Sequence, residues 1–339
     1  MKKRIPATFA VFSVLCASSP AKKAVVEEPP APVSHLTLGT QFSEDLAGGS
    51  VGGLFEMWMP AKRDALLFLD AGYHYEDNGQ SITSLGLGFR KLLPGDKVIV
   101  GANVFWDHVH SENDNDLDQL GFGFEVLTQW VDVRFNYYIP EDDRFEIGHR
   151  TASRTRTGLA PGGITRTTTR DEFTTFETGL EGFNAEIGFL IPGTEKFAET
   201  RIFAGYYHYE NPHGSDFDGF KARLEARILQ GVTAEVEYWD DKALMGGHWT
   251  AGISVSVPFS IGNLFTGKNP FEGAGESFKR VPRRFADRLG DKVERSHRIQ
   301  TTTSGDIRTG SSTSKKFTPL PASPPLPPGK PPGGGFPVE

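Results

Sequence analysis

The stretch FKARLEARIL, residues 220–229, decides the fold. Phe220, Ala222, Leu224, Ala226 and Ile228 alternate there with Lys221, Arg223, Glu225 and Arg227. On a helix this spacing scatters charge around the whole circumference, whereas on a strand it gives one apolar and one charged face. Just downstream, Val232, Ala234, Val236 and Tyr238 alternate with Thr233, Glu235 and Glu237, and then Ile253, Val255, Val257 and Phe259 with Gly252, Ser254 and Ser256. Upstream, Phe183, Ala185, Ile187, Phe189 and Ile191 oppose Asn184, Glu186 and Gly188, and Val131, Val133, Phe135, Tyr137 and Ile139 oppose Asp132, Arg134, Asn136 and Tyr138. The same parity recurs over residues 120–126, 98–106, 83–90, 67–73, 51–59 and 36–42. With residues 201–209, where aromatics fall on both faces, the chain shows twelve strands, an even number.

A soluble sandwich would alternate in the same way, so the connections must discriminate. Those at one end are short: residues 60–64, 93–96, 128–129, 192–199 and 230–231. At the other end lie residues 44–49, 76–80, 108–118, 140–175, 211–219 and 240–247, mostly longer and acidic. Short turns on one side and long polar loops on the other, over an even set of two-residue-repeat strands, define the outer-membrane barrel pattern. Lipid offers no hydrogen-bond partner, so a sheet crosses it only when closed on itself. The expected fold is therefore all-β: a twelve-stranded antiparallel transmembrane β-barrel followed by a basic linker and a Pro-rich tail.

Parity then assigns faces. The lumen should be lined by Glu56, Asp70, Arg90, Glu125, Asp132, Arg134, Glu186, Lys221, Arg223, Glu225, Arg227, Glu235 and Glu237, with Gly86, Gly88, Gly121 and Gly123 among several inward glycines. Strand glycines cost stability, so either something approaches the inner wall closely or glycine relieves the curvature of a small barrel; both readings stand. Trp106, Trp130 and Trp249, with Tyr137 and Tyr238, sit near strand ends as an interfacial girdle. Parity turns Trp58 and Trp239 inward unless bulges intervene.

Charge divides along the chain. Residues 33–259 carry 34 acidic and 18 basic side chains, net −16; residues 260–339 carry 13 basic and 7 acidic, net +6. Eight cations fall in residues 279–298, among them Arg283, Arg284, Arg288, Lys292, Arg295 and Arg298. Phe285, Leu289, Val293 and Ile299 give this stretch weak helical spacing, and two readings stand: a helix near or inside the barrel, or a solvated basic linker on the periplasmic side. A twelve-stranded barrel has room for one such segment, lying between side-chain-filled eight-stranded barrels and open porins. Residues 315–339 are Pro-rich and read as extended tail.

At the other end, Lys2, Lys3 and Arg4, an apolar stretch over residues 7–17 and Ser19-Pro20-Ala21 read as a secretory signal peptide over residues 1–21, followed by a linker over 22–32. Cys16 as a lipid-modified residue fits poorly, because Leu15 stands where a small residue is wanted. That one cysteine excludes a disulfide scaffold, and an overall charge of −7 excludes a general nucleic-acid binder.

Several of these strings resemble a known family. LGLGFRKLLPGDKVIVGANVFWDH (residues 85–108), QLGFGFEVLTQWVDVRFNYYIP (119–140), FNAEIGFLIPG, KARLEARILQGVTAEVEYWDD and the closing ISVSVPF are similar to the β-domain of inverse autotransporters, the intimin and invasin family, over most of residues 33–259. RRFADRLGDKVERSHRI resembles the segment that follows the barrel in that family. The resemblance implies an outer-membrane barrel that guides its own C-terminal portion through the lumen and anchors it at the surface. It also implies that the insertion machinery recognises a terminal aromatic, here Phe259. Family members usually display stacked adhesin domains, but the residues after Phe259 show no further sandwich pattern, so adhesion of that kind is not expected. The alternative is a passive outer-membrane pore or surface scaffold without exported passenger.

Expected partners are outer-membrane lipid and the barrel insertion machinery, for a monomeric barrel without nucleic acid or cofactor. The loop over residues 148–173, with Arg150, Arg154, Arg156, Arg166 and Arg170, suits an anionic surface glycan or plain solvation. An enzymatic reading would gather Asp107, His108 and His110 with Asp240, Asp241 and His213, but such loop residues usually face solvent, and no nucleophile elbow, Walker loop or HExxH helix occurs. Asp114, Asp116, Asp118 and Glu125 match positions 1, 3, 5 and 12 of a calcium loop, yet Gln119 stands where glycine is required.

Overall fold

The computed structural model describes residues 33–44, 46–141, 144–212, 216–241, 246–280, 283–296, 301–304 and 307–321. The expected signal peptide and linker over residues 1–32, most of the Pro-rich tail, His213 and Arg298 lie outside the described residues.

Twelve antiparallel strands close into a barrel: β1 (His35–Ser43), β2 (Ala47–Trp58), β3 (Ala65–Glu76), β4 (Ser81–Leu92), β5 (Val98–His110), β6 (Asp116–Thr128), β7 (Val131–Pro140), β10 (Gly182–Leu190), β11 (Glu199–Tyr209), β12 (Phe217–Leu229), β13 (Val232–Asp241) and β14 (Gly246–Pro258). The seam is β1 against β14, paired from His35 opposite Pro258 to Ser43 opposite Thr250. Each strand neighbours the next in sequence except β7 and β10, which pair directly although about 40 residues separate them.

The outward face is a band of exposed apolar side chains. Leu85, Leu87 and Phe89 on β4, Leu120, Phe122 and Phe124 on β6, and Val133, Phe135 and Ile139 on β7 are all more than 40% exposed. A surface of this kind belongs in lipid. Trp106, Trp130, Trp249 and Tyr238 lie on that surface, and outward Tyr137 hydrogen-bonds Glu181. A bulge between Glu56 and Trp58 sets Trp58 opposite outward Leu67, so Trp58 also faces out at 52% exposure. No bulge rescues Trp239, which packs inside the barrel against Tyr138, Leu180, Tyr207, Tyr209 and Phe217.

Two sequence expectations need correction. Residues 140–175 are not an irregular loop. They contribute to a long hairpin, β8 (Arg144–Ala160) and β9 (Gly163–Gly179), turned at Pro161 and Gly162 with Gly162 at φ 81°. Its Thr-rich strands have good β propensity but no apolar face, so the two-residue hydrophobic signal is silent. The second correction concerns residues 279–299, whose described residues, 279–280 and 283–296, contain no α-helix. Past a short helix α1 (Ile261–Phe265) and a 3-10 turn (Ala274–Phe278), a second 3-10 turn spans only Phe285–Gly290, and residues 291–296 have no regular secondary structure. Wall side chains replace the helical hydrogen bonds. Arg90 donates to the carbonyls of Leu289 and Asp291, Asn136 to that of Glu294 at 3.3 Å, and the Ser296 N–H donates to the Tyr138 hydroxyl at 2.8 Å.

Beyond residue 300 the chain pairs with the hairpin. Strand β15 (Thr301–Thr303) runs against residues 177–179 of β9, and β16 (Ile307–Pro319) against residues 163–174. Residues 315–319, read from sequence as part of an unpacked tail, are therefore strand.

Candidate functional site

The site is the lumen and the segment inside it. Residues 283–296 enter at the short-turn end and leave at the long-loop end, fixed by a two-pronged ion pair at each. At the short-turn end Arg288 donates to both oxygens of Asp132, at 2.9 and 2.7 Å, and to the Thr128 carbonyl at 2.6 Å. At the long-loop end Arg295 grips both oxygens of Asp107, which also accepts from the Ser84 hydroxyl at 2.6 Å. Arg288 lies in the 3-10 turn and Arg295 seven positions further on, in the non-helical stretch that follows it.

Between these points the charges interlock. Asp291 of the threaded segment meets Arg283, Arg288 and Arg227, and Arg283 reaches Glu199 at 3.1 Å. Arg90 pairs with Glu125 on the wall. Midway, Glu186 accepts from Arg134 at 2.9 Å and Arg223 at 2.7 Å, with Lys221 at 3.3 Å, and Arg223 approaches Glu294 of the segment at 3.6 Å. Isolated charges could not remain ionised in such a place; paired and hydrogen-bonded ones can.

The inward glycines have a geometric cause. A Cβ on Gly88 would strike the Phe68 ring, on Gly86 the Phe105 ring and on Gly188 the Phe203 ring. Each glycine lets a ring from the adjacent strand lie flat on the wall, and an arginine covers the ring. Arg90 stands 5.1 Å over Phe68, Arg295 4.2 Å over Phe105 and Arg223 4.0 Å over Phe203. A Cβ on Gly121 would lie 3.0 Å from the guanidinium of Arg295 of the segment itself, and one on Gly123 would strike the Asn103 amide.

Of the residues assigned from sequence to the lumen, Arg90, Glu125, Asp132, Arg134, Glu186 and Arg223 are buried in this network. Asp70, Lys221, Glu225, Arg227, Glu235 and Glu237 face inward but stay partly exposed. Glu56 keeps inward parity yet lies exposed at the short-turn rim. Arg284 faces out of the same mouth, 2.7 Å from Asp287, and Lys292 is exposed inside the barrel. The segment lies against β4–β7 and β10–β12, whose inward side chains are largely buried; those of β13, β14 and β1 remain half-exposed. Phe259 packs edge-on to Phe55 of β2 and Phe271 beyond the barrel, at 6.1 and 5.5 Å between centroids.

Sequence reasoning considered Asp107 only as an outer-loop residue and passed over Arg201, the ring-bearing Phe68, Phe105 and Phe203, and Asp291. Asp107 shares the inward parity of Gly101, which was the available signal. It does not join His108 and His110, which are strand residues on the opposite face: His108 stacks on Trp106, and His110 is 2.8 Å from Asp116. The calcium set diverges likewise, since Glu125 faces the lumen while Asp116 and Asp118 meet histidines on the outer face.

A closed barrel with a lipid-facing exterior and a charged chain held through its bore belongs to the translocator type of outer-membrane barrel. The model of the inverse autotransporter β-domain matches residues 30–254, and the chain belongs to that family. A solved membrane-protein structure from work on in-meso crystallization is 16% identical and covers 80% of this chain and 100% of that one, with a TM-score of 0.55. The translocator domain of the autotransporter NalP from Neisseria meningitidis is 13% identical over 68% of this chain and 90% of its own, at a TM-score of 0.30. No curated protein matches. The protein is thus a bacterial outer-membrane barrel of a translocator and anchor family.

Proposed function

We propose that the barrel guides its own C-terminal segment outward through the lumen and then anchors it, with the short-turn end in the periplasm and the long-loop end outside the cell. The observation that carries this reading is that residues 283–296 are held inside the bore while residues 301–303 and 307–319 pair with the hairpin. An acidic barrel attracts a basic segment, and the low-dielectric wall strengthens that attraction. Residues 1–21 serve as export signal, and Phe259 as the terminal aromatic read by the insertion machinery; Phe259→Asp should reduce heat-modifiable folded barrel in membranes.

An epitope placed after residue 339 tests the reading directly. Antibody or protease should reach it on intact cells; protection until the outer membrane is breached would defeat the proposal. The half-exposed wall of β13, β14 and β1 favours a second reading, a passive pore. Steady, large conductance from the intact protein in planar bilayers would support the pore over the anchor.

A further inference from the structure

Outside the barrel, β8, β9 and β16 form a sheet with β9 in the middle. Its distal half, residues 153–170 and 312–319, contains six cations and no carboxylate: Arg154, Arg156, Arg166, Arg170, Lys315 and Lys316. All six are exposed. Cross-strand register divides them equally between the faces. Arg156, Thr167 and Lys315 form one rung and Arg154, Thr169 and Thr313 another on the same face; Thr157, Arg166 and Lys316, and then Ser153, Arg170 and Ser312, form rungs on the other. Arg156 and Lys315 are two strands apart, about 10 Å, with a threonine between them. Nearer the barrel the character changes: Arg308 pairs with Asp171, and Arg150 lies 4.8 Å over Phe173.

Cations on edge strands commonly prevent edge-to-edge pairing. That accounts for β8 and β16, but not for Arg166 and Arg170 on the central strand, nor for a half-sheet lacking acid where a solvated surface intersperses both signs. We infer that the distal sheet is a docking surface for a linear anionic polysaccharide, bound on either face through carboxylate or sulfate groups by that face's three cations and through hydroxyls by the intervening threonines and serines. The surface lacks the one-sided apolar face a membrane-lying element needs and the ring ladder that stacks single-stranded bases. It is composite, because β16 arrives only by way of the threaded segment. The inference rests on the export reading for where the surface is displayed, but not for whether it binds.

The test uses the full chain in detergent micelles, with heparin as sulfated and polygalacturonate as carboxylated probe. Binding to at least one should be measurable by titration calorimetry and weaken as salt rises. Arg154→Gln with Arg156→Gln on β8, and separately Lys315→Gln with Lys316→Gln on β16, should each weaken it about fivefold, several exposed ion pairs being lost, while heat-modifiable migration reports an intact barrel. Binding to neither probe, or binding by both double variants as tight as that of the unaltered chain, overturns the inference, as does preference for double-stranded DNA or phosphatidylglycerol vesicles over both polymers. Binding in micelles but not on intact cells would leave this surface standing and fault the export reading. An accessible terminal epitope without polymer binding would do the reverse.

Discussion

Asp107 and Arg295 show how much one residue can decide inside the bore. Each is nearly sealed from water, with side-chain exposure of 0% and 2%, and each is the other's charged partner. Removing one leaves the other buried and uncompensated, which costs about 3–5 kcal/mol, whereas replacing both by apolar residues of similar volume is often nearly neutral. Asp107→Asn should therefore lower the temperature at which the heat-modifiable band disappears, and Asp107→Leu with Arg295→Leu should restore most of it. If the double variant is no better than the single, the pair does not act as a unit. Parity would have placed Asp107 on the wall from sequence. That it meets Arg295, 188 residues away, follows only from the threaded path.

At the scale of elements, the glycine positions and the hairpin behave differently. Gly188→Ala should displace the Phe203 ring and with it the Arg223 guanidinium. Overpacking of this kind costs about 1–3 kcal/mol; the loss should appear as less folded barrel and be partly relieved by adding Phe203→Leu. Of the two readings the sequence allowed for these glycines, close approach applies at Gly86, Gly88 and Gly188, but the approaching groups are mainly neighbouring side chains of the wall. The hairpin carries a pH dependence. The hydroxyl of Ser311 and then the Arg308 guanidinium hold the Asp171 carboxyl below its ordinary value of 3.8. A carboxylate lowered on docking stabilises β16 above that ordinary value and loses its contribution as pH falls below it. Backbone amides of β16 should thus exchange faster at pH 3 than at pH 6, relative to barrel amides, and Asp171→Asn should remove the difference.

On the scale of the whole molecule, the threaded segment sets what can pass. Deleting residues 283–296 should raise single-channel conductance well above that of the intact protein, because the side of the bore along β4–β7 and β10–β12 would be vacated. Unchanged conductance would mean that the segment does not occupy the lumen in a bilayer. The fold should survive the deletion, since the seam of β1 and β14 and the outward apolar band do not depend on it.

The sequence by itself determined the barrel: strand number, faces, turn and loop ends, and the opposed charges of barrel and linker are all local or additive properties, readable because side chains alternate with period two. Two features escaped it. The hairpin of β8 and β9 has no apolar face to announce it, and the bulge that turns Trp58 outward changes parity without changing composition. Only the tertiary structure decided which anion each arginine meets and that the chain leaves the bore to become a strand of its own hairpin. The two pairs that fix the threaded segment, Arg288 with Asp132 and Arg295 with Asp107, join residues more than a hundred positions apart, and a closed wall brings them together by curvature that no local pattern encodes.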